Sequence, residues 1–481
     1  MKSFQTATDI VTKFEQDFNV ESWRIDDLHV WPLMRISFAA ELLELSSIEN
    51  TNKKSARHWA ISIKSSLSTF LAKTRYALRP SSIASLVLAL SCRNRPPVHT
   101  GCFTNDISRE WTHKGFYQRF FDSLVDLRYI NDLSSINFEY VSHGKTPSFR
   151  PFVDLSALYL IAKIKAAVMH YLRLRNVSHN IPFDNIYDWL ESLNLPCSAL
   201  RQQRLLKKYA LLLEFRKLFL HLIRLYKLQR AIKVCWYSLD GMALAWACDD
   251  ENIPCIDIQH GLAGSNNHRS YSRWTKFPQN GYKLMPSEFW VWSQQDAKAI
   301  QEWQVGLSPA PILKVIGNPW GKLAKDKSLY PYLFPLPPKL KNWADTNCLI
   351  IVVSLQTSEL PPTVLQAIEL SPKYLKWAIR AHPNFSSDVN NLKHVVETEN
   401  ISYKEASMSP LYALLSVSSV HITGWSAVYY DALFCNLKTI FFSSRALQNF
   451  NDEISTGQAL YADSGTELLR QINSLLSLNN K

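Results

Sequence analysis

Short, continuous hydrophobic runs alternate with longer amphipathic stretches through the middle of the chain. Such runs occupy residues 232–238, 254–259, 289–293 and 312–317, and residues 242–252 between the first two have a helical pattern. Uninterrupted apolar runs are typical of strands buried on both faces of a parallel sheet. Because a crossover helix makes the strands that it joins parallel, the pattern predicts a βαβ region in which residues 239–241 form a turn.

A second α/β pattern begins after a proline-rich stretch at residues 330–340, which is the best candidate for a linker. Apolar strands are predicted at 348–355, 374–383, 420–423 and 438–442, and helices near 363–369, 409–416, 427–435 and 465–478. Two Rossmann-like halves would place a cleft between the carboxyl ends of both sheets, where ligands bind such folds.

The first 230 residues have a less regular pattern. Residues 1–50 are predicted to be helical, residues 82–91 (SIASLVLALS) to form a buried strand, and residues 138–141 to form a second strand. In a chain of 481 residues more than one domain is expected. The predicted division is a helical segment at 1–55, a Rossmann-like domain at 56–329 with a basic helical insertion at about 154–231, a linker at 330–346, and a Rossmann-like domain at 347–481.

Charge is unevenly distributed along the chain. The formal net charge is +12, and basic side chains are concentrated between residues 201 and 233, where leucines and aromatics are interleaved at helical spacing. This pattern predicts a basic amphipathic helix or a pair of helices. Its function stays open between a solvated face of a core helix and peripheral contact with anionic lipid or a lipid-phosphate acceptor. Nucleic acid is not expected as a partner, because no nucleic-acid-binding motif accompanies the charge.

Several classes of protein lack their sequence signatures here. The chain has no Walker A, GxGxxG, GxSxG or HExxH motif, which disfavours ATPase, dinucleotide-redox, hydrolase and zinc-protease activities. The eight Cys are scattered without zinc spacing, no apolar run has the length of a membrane span, and the N-terminus lacks a signal-peptide pattern. We therefore expect a cytoplasmic protein that needs no metal.

Two motifs in the C-terminal half combine polar groups with strand ends. The segment Arg380–Pro383 (RAHP) ends a predicted strand, and Thr423–Ser426 (TGWS) joins another strand to a helix. A histidine at a strand end can bind a nucleotide, and hydroxyl and backbone N–H groups before a helix can bind its phosphate. Gln356 occupies a further strand-end loop. The predicted donor-binding residues are therefore Gln356, Arg380, His382, Pro383, Thr423, Gly424 and Ser426.

The ordered pair of motifs resembles the donor domain of bacterial capsule and lipopolysaccharide glycosyltransferases, notably the CMP-sugar-dependent sialyltransferases and Kdo transferases. The resemblance implies that His382 and Pro383 contact a cytidine nucleotide and that Ser426 binds its phosphate. That family often has a second Ser or Thr beside the serine, where this chain has Trp425. The implied fold class is α/β of the GT-B type: two Rossmann-like domains facing a central cleft, with a helical N-terminal segment and a mid-chain insertion.

A second string, DIQHGLAG at residues 257–264, is similar to surface-polysaccharide transferases related to the Kdo enzymes, as are the segments 289–293 and 317–320. Together the two matches cover roughly residues 232–442. Gln259, Gly261 and Asn318 are the residues that we expect to contact the acceptor or line the cleft. Sialyltransferases of this fold use an acid near a DG turn as base, which implies that role for Asp240, with His260 as the rival base.

These features predict an inverting, metal-independent glycosyltransferase without a cofactor. It would move Kdo or a related acidic sugar from a CMP-activated donor to a lipid-linked or other surface-glycan acceptor, and residues 201–233 would contact an anionic membrane. One rival is a transferase of polyol phosphate that uses CDP-glycerol. The other is a non-catalytic glycan- or lipid-associated scaffold of the same fold.

Overall fold

A computed structural model describes residues 7–48, 74–91, 97–172, 177–261, 263, 270–325, 335–357, 359–382 and 397–479. Its strands are β1 (Arg24–Ile25), β2 (Leu28–His29), β3 (Thr100–Asn105), β4 (Arg109–Thr112), β5 (Gly115–Gln118), β6 (Ser135–Tyr140), β7 (Val153–Asp154), β8 (Arg230–Val234), β9 (Cys255–Ile258), β10 (Glu288–Val291), β11 (Ile312–Val315), β12 (Ile350–Ser354), β13 (Lys376–Arg380), β14 (Ile401–Ser402), β15 (Val420–Thr423), β16 (Thr439–Phe441) and β17 (Leu460–Tyr461).

The helices of the described residues surround these strands. They are α1 (Ala7–Asp17), α2 (Trp31–Ile48), α3 (Pro80–Ser91), α4 (Phe121–Asp126), α5 (Ser156–Leu172), α6 (Phe183–Ser192), α7 (Gln202–Tyr226), α8 (Leu239–Asp250), α9 (Gln294–Gln301), α10 (Pro319–Lys325), α11 (Pro338–Asp345), α12 (Pro362–Leu370), α13 (Lys404–Met408), α14 (Leu411–Val417), α15 (Val428–Phe434), α16 (Ser444–Asn449), α17 (Asn451–Ser455) and α18 (Gly465–Asn479). Within the part of the chain covered by these ranges, no helix has the length and hydrophobicity to cross a membrane.

The chain forms two compact units. The first comprises Met1–Ser108 and Gln118–Asn318, and the second comprises Arg109–Tyr117 and Pro319–Lys481. The division after Asn318 places α10 in the second unit, whereas the sequence indicated a linker at 330–346. Within that predicted linker, residues 338–345 form helix α11, and residues 330–334 lie outside the described residues.

The first unit is built on a seven-stranded sheet in the order β11-β10-β9-β8-β3-β6-β7. All of its neighbouring strands are parallel. Numbered along the chain within this sheet, the order is 3-2-1-4-5-6-7, which is the Rossmann order with one added strand. Strands β8 and β9 lie on one side of β3, and β6 and β7 lie on the other, so the order reverses between β3 and β8.

The second unit has a six-stranded sheet in the order β14-β13-β12-β15-β16-β17, again parallel throughout. Numbered along the chain, this is the Rossmann order 3-2-1-4-5-6. Strand β12 (IIVVS) is buried along its whole length, as its uninterrupted apolar sequence requires. The predicted α/β class with two Rossmann-like parallel sheets is confirmed.

The N-terminal helices belong to the core of the first unit. The Phe14 ring of α1 stacks on the Trp31 ring of α2 at a centroid distance of 5.4 Å. Beside them, the buried Arg35 guanidinium pairs with the Glu15 carboxylate at 2.7 Å, and Trp31 Nε1 donates to the same carboxylate at 2.9 Å. Because this ion pair is buried and fully hydrogen-bonded, it fixes α1 against α2.

The strand predicted at residues 82–91 is wrong, because these residues lie in helix α3. Its serines Ser82 and Ser85 are one helical turn apart and both are buried, whereas Ile83 and Val87 are exposed. A strand would place residues 83, 85 and 87 on one face. The short apolar run did not distinguish the two structures, and Pro80 at the first helical position favours the helix.

The predicted helical and turn boundaries around β8 are also wrong in two places. The basic helix predicted over 201–233 ends at Tyr226, where Lys227 adopts a left-handed conformation with a φ of 49°. Residues 230–234 are strand β8. Residues 239–241, predicted as a turn, form the first turn of α8, because the Ser238 side chain accepts a hydrogen bond from Gly241 N at 3.1 Å and caps the helix.

Replacing Gly241 with alanine is expected to destabilise the first unit. A Cβ atom there would lie 2.4 Å from the Trp236 carbonyl oxygen and 2.7 Å from that of Cys235, and backbone atoms cannot move aside easily. We expect Gly241→Ala to lower the free energy of unfolding by about 1–3 kcal/mol, measured by urea denaturation. Gly261→Ala is the matched control, since none of the described residues places a heavy atom within 4 Å of the added Cβ. Equal stability of the two variants would contradict this packing.

Candidate functional site

The second unit has a strand-order reversal between β12 and β15. At such a point the crossover connections of neighbouring strands leave in opposite directions, which opens a crevice at the carboxyl ends of the strands. The sequence there carries Gln356 two residues after β12, and Gly424 directly after β15. The structure therefore brings together two predicted donor-binding residues, Gln356 and Gly424, that are almost seventy residues apart in the sequence.

The Gln356 side chain ties the two loops at this reversal to each other. Its Nε2 donates to Thr423 Oγ1 and to the Ser354 carbonyl oxygen, both at 2.8 Å. Its Oε1 accepts from Gly424 N at 3.0 Å and from Trp425 N at 3.3 Å. A Cβ atom on residue 424 would lie 2.7 Å from Gln356 Oε1, so this close approach requires glycine. Gln356, Thr423 and Gly424 thus form one rigid loop pair.

Ser426 lies between this loop pair and helix α15. Its Oγ accepts a hydrogen bond from Val428 N at 3.2 Å, and the half-buried side chain is at the carboxyl edge of the sheet. Helix α15 has seven residues, one fewer at each end than the predicted 427–435. Close by, the Arg445 guanidinium lies 4.9 Å from the centre of the Trp425 ring, which places a cation beside the loop that sequence reasoning did not identify.

Arg380 and His382 are at the end of the neighbouring strand β13. The Arg380 guanidinium is within 3.8 Å of the Glu110 carboxylate of the same unit. Burial lowers the pKa of His382, and the positive charge of Arg380 lowers it further. His382 is therefore a neutral imidazole at pH 7, suited to hydrogen bonding rather than to ion pairing with phosphate. Pro383 lies outside the described residues.

Asp240 of the first unit is part of a hydrogen-bonded ion pair at the reversal point of that sheet. Lys233 Nζ, on β8, donates to Asp240 Oδ2 at 2.7 Å, and Tyr159 Oη donates to the same atom at 3.0 Å. Burial raises the pKa of Asp240, but Lys233 and the hydrogen bonds from Ser238 and Tyr159 outweigh it and lower the pKa to about 2. A carboxylate held ionised in this way is a weak base at neutral pH.

His260, the rival base, is half-buried two residues after β9. Its Nε2 lies 3.2 Å from Tyr237 Oη. None of the residues that the structure describes provides a hydrogen-bond partner for its buried Nδ1. Burial, followed by the charges of Arg119 and Lys233, lowers the pKa of His260 to about 4. The imidazole is therefore neutral at pH 7, and in the tautomer in which Nε2 donates to Tyr237, Nδ1 has a free lone pair.

The predicted acceptor residues Gln259, Gly261 and Asn318 follow strands β9 and β11. The buried Gln259 braces this edge: its Nε2 donates to the Gly261 carbonyl oxygen at 2.8 Å, and its Oε1 accepts from Trp292 N at 2.7 Å. Gln259 thus supports the His260 loop, with its polar atoms engaged inside the protein. Asn318 is half-buried and comes three residues after β11.

Sequence reasoning missed Asp257, which lies one strand away from Lys233. Trp236 N donates to Asp257 Oδ1 at 2.9 Å, and Tyr271 Oη donates to Oδ2. Burial raises the pKa of Asp257 to about 7, although these hydrogen bonds act in the opposite direction. The sequence did contain a signal for Lys233 and for Asp257, because a Lys or an Asp within an apolar buried strand requires a polar partner. The identity of that partner was not readable from the sequence.

Comparison with known proteins gives similarity only to solved structures. No family model matches the chain, and no curated protein matches it. UDP-GlcNAc 2-epimerase from Neisseria meningitidis bound to UDP-GlcNAc is 11% identical with a TM-score of 0.45, covering 80% of this chain and 92% of that chain. The glycosyltransferase SnogD from Streptomyces nogalater is 11% identical with a TM-score of 0.36, covering 77% and 88%. The wall teichoic acid polymerase TagF is 10% identical with a TM-score of 0.44, covering 85% and 89%. All three TM-scores are below 0.5, so these similarities do not indicate what this chain binds.

The raised pKa of Asp257 predicts a pH-dependent stability. An unfolded aspartate has a pKa of about 3.9, so between pH ~4 and ~7 the folded chain keeps a proton that the unfolded chain has lost. The stabilisation is complete below pH ~4 and is lost as the pH rises towards 7, by up to about 1.4 kcal/mol per pH unit. Asp257→Asn should remove this slope in unfolding free energies measured between pH 5 and 7. The same slope in both proteins would show that Asp257 is already ionised at pH 5.

Proposed function

We propose that the chain is a nucleotide-sugar-dependent glycosyltransferase whose donor site is the carboxyl edge of the second sheet, around Gln356. The observation that carries this proposal is the joining of the β12 and β15 loops by Gln356 at the strand-order reversal. Loops that are already joined by hydrogen bonds do not have to be ordered when a ligand binds, which lowers the entropic cost of binding. The neighbouring polar groups determine which ligand it suits.

Those neighbouring groups favour an anionic nucleotide. Arg445 provides positive charge at this edge, with Arg380 beside Glu110 on the neighbouring strand, and Ser426 provides a half-buried hydroxyl group. Thr423 supports the loop, because its buried hydroxyl donates to the Ser354 carbonyl oxygen. Positive and hydrogen-bonding groups of this kind stabilise the charge that develops on a leaving phosphate. We assign the phosphate to the side of Ser426 and Arg445, and the neutral His382 to the nucleoside.

We further propose a CMP-activated acidic sugar, Kdo or a relative, as the donor, and a surface glycan as the acceptor. Support for the nucleotide comes from the ordered motifs, Arg380–Pro383 and then Thr423–Ser426, in which this chain resembles CMP-sugar-dependent transferases. Transfer breaks the bond between the anomeric carbon and the phosphate oxygen of CMP and forms a bond to an acceptor hydroxyl oxygen. The hydroxyl proton passes to a base, and CMP leaves with the bonding electron pair.

His260 is the better proton acceptor among the groups of the first unit. Its pKa of about 4 exceeds that of Asp240, at about 2, and its buried Nδ1 accepts no hydrogen bond from the described residues, whereas Asp240 Oδ2 already accepts from Lys233 and Tyr159. We therefore assign proton abstraction to His260. Asp240 is assigned a positioning role, holding Lys233 and the start of α8.

The donor site is tested by thermal-shift and calorimetric titration with CMP, CDP and UDP, followed by turnover with CMP-Kdo and with CDP-glycerol. We expect CMP to raise the melting temperature, since a ligand that binds only the folded state stabilises it. CMP-Kdo should release CMP in the presence of a glycan acceptor. Turnover with CDP-glycerol alone would replace the proposed donor by the polyol-phosphate alternative, and no nucleotide binding at all would favour the non-catalytic scaffold.

Gln356→Ala should weaken nucleotide binding by about tenfold or more, because the loops after β12 and β15 lose their shared hydrogen bonds. The change is measured as the Kd for CMP by calorimetry. Gln458→Ala, at an exposed glutamine of the same unit, is the matched control and should leave the Kd unchanged. An unchanged Kd in Gln356→Ala would place the nucleotide elsewhere.

His260→Ala should lower kcat by roughly 10²–10⁴-fold, the usual contribution of a general base, without changing the Kd for the nucleotide. The activity of the unchanged chain should fall below pH ~4–5, as the imidazole becomes protonated. Asp240→Asn has a side chain of the same size and shape, and its activity above pH ~5 should depend on pH as that of the unchanged chain does. If Asp240→Asn kept only a residual rate that does not depend on pH, and His260→Ala kept its activity, Asp240 would be the base and His260 the positioning residue.

A further inference from the structure

In its described part, residues 80–87, helix α3 buries two serines against the protein and exposes two apolar side chains to solvent. The Ser82 hydroxyl accepts a hydrogen bond from Ala157 N at 2.7 Å, and the Ser85 hydroxyl accepts one from Asp154 N at 3.1 Å. On the outer side, Ile83 is 44% exposed and Val87 is 55% exposed. A helix at a protein–water boundary has the opposite arrangement. The outer side of α3 is therefore suited to an apolar environment.

Helix α5, which contacts α3, has an exposed apolar stripe as well. Tyr159, Ala162 and Ala166 face the core, while Ile164 is 56%, Val168 53%, Tyr171 71% and Leu172 67% exposed. The exposed residues recur at spacings of three and four, so they form a continuous stripe along the last half of the helix. Scattered exposed apolar residues need no explanation, but two such stripes on helices in contact mark an interaction surface.

The charges on α5 and in the segment that precedes α3 select the kind of partner. The described segments 74–91 and 156–172 contain no Asp or Glu, and their basic residues include the exposed Arg75 and Lys165. An apolar stripe with basic neighbours and a tyrosine matches a membrane surface with anionic headgroups, because aliphatic groups enter the boundary of the acyl chains and cations remain among the phosphates. A second copy of the chain would place these positive charges against one another.

We propose that α3 and α5 form the surface by which the chain docks on an anionic lipid bilayer. The contact predicted for the basic segment 201–233 stays a separate prediction; one face of its helix α7 is buried in the core of the first unit. On α7, Arg216 pairs with Asp250 at 2.5 Å and Arg224 pairs with Glu251 at 2.7 Å, so part of its positive charge is neutralised within the protein. The docking proposal does not rest on the proposed function, because binding to vesicles is measured without turnover.

The test is flotation of the full-length chain with phosphatidylcholine vesicles, with and without phosphatidylglycerol. We expect binding to the anionic vesicles that weakens with added salt. The double variant Ile164→Gln with Val168→Gln should lower the partition coefficient at least tenfold, and Lys165→Gln should lower it by about fivefold. Val305→Gln and Lys298→Gln alter exposed residues of the same chemical types elsewhere in the first unit and should bind as the unchanged chain does.

Two results would overturn this proposal. One is the absence of binding to anionic vesicles, or equal binding by the stripe variants and the two controls. The other is self-association: a dimer in sedimentation that the double variant converts to a monomer, without vesicle binding, would assign the stripes to contact between copies. Circular dichroism spectra of all the variants ensure that a loss of binding is not a loss of folding.

Discussion

Parallel pairing throughout both sheets, with one reversal of strand order in each, is the constraint on which the rest of the structure depends. Parallel strands require crossover connections, and these place all carboxyl ends at one edge of each sheet. At the reversal, the connections leave towards opposite faces, so the loops after the two central strands separate and leave a crevice. Gln356 lies at this position in the second unit, and Lys233 and Asp240 lie near it in the first.

The two edges use their polar residues differently. In the second unit, neutral hydrogen bonds fix two loops, and Arg445 lies beside one of them against the Trp425 ring. In the first unit, buried polar groups are paired with one another: Lys233 forms an ion pair with Asp240, and the Asp257 carboxyl accepts a hydrogen bond from the Tyr271 hydroxyl. Removing either partner of a buried pair leaves a charge that the interior cannot solvate. These internal pairs therefore support the edge of the first sheet, where the His260 loop follows β9.

The fold was predictable from local patterns, and the partners of individual side chains were not. Strand β12 (IIVVS) has an apolar run, which is typical of a strand buried on both faces of a parallel sheet. Residues 82–91 were misassigned because a short apolar run has no diagnostic period, and their serines bond to Asp154 and Ala157, some seventy residues away. Gln356 was predicted from its strand-end position, but its link to Thr423 and Gly424 depends on the strand order. The division after Asn318 had no local signal, since α10 is packed with a unit whose sheet begins thirty residues later.

The central claim is that a nucleotide binds at the carboxyl edge of the second sheet, beside the loop pair that Gln356 holds together. The most direct measurement is an experimental structure of the full chain with CMP bound. The account predicts the phosphate within hydrogen-bonding distance of Ser426, with the base towards His382. A nucleotide bound on any other surface of the chain, with the Gln356 loops unoccupied, would contradict it.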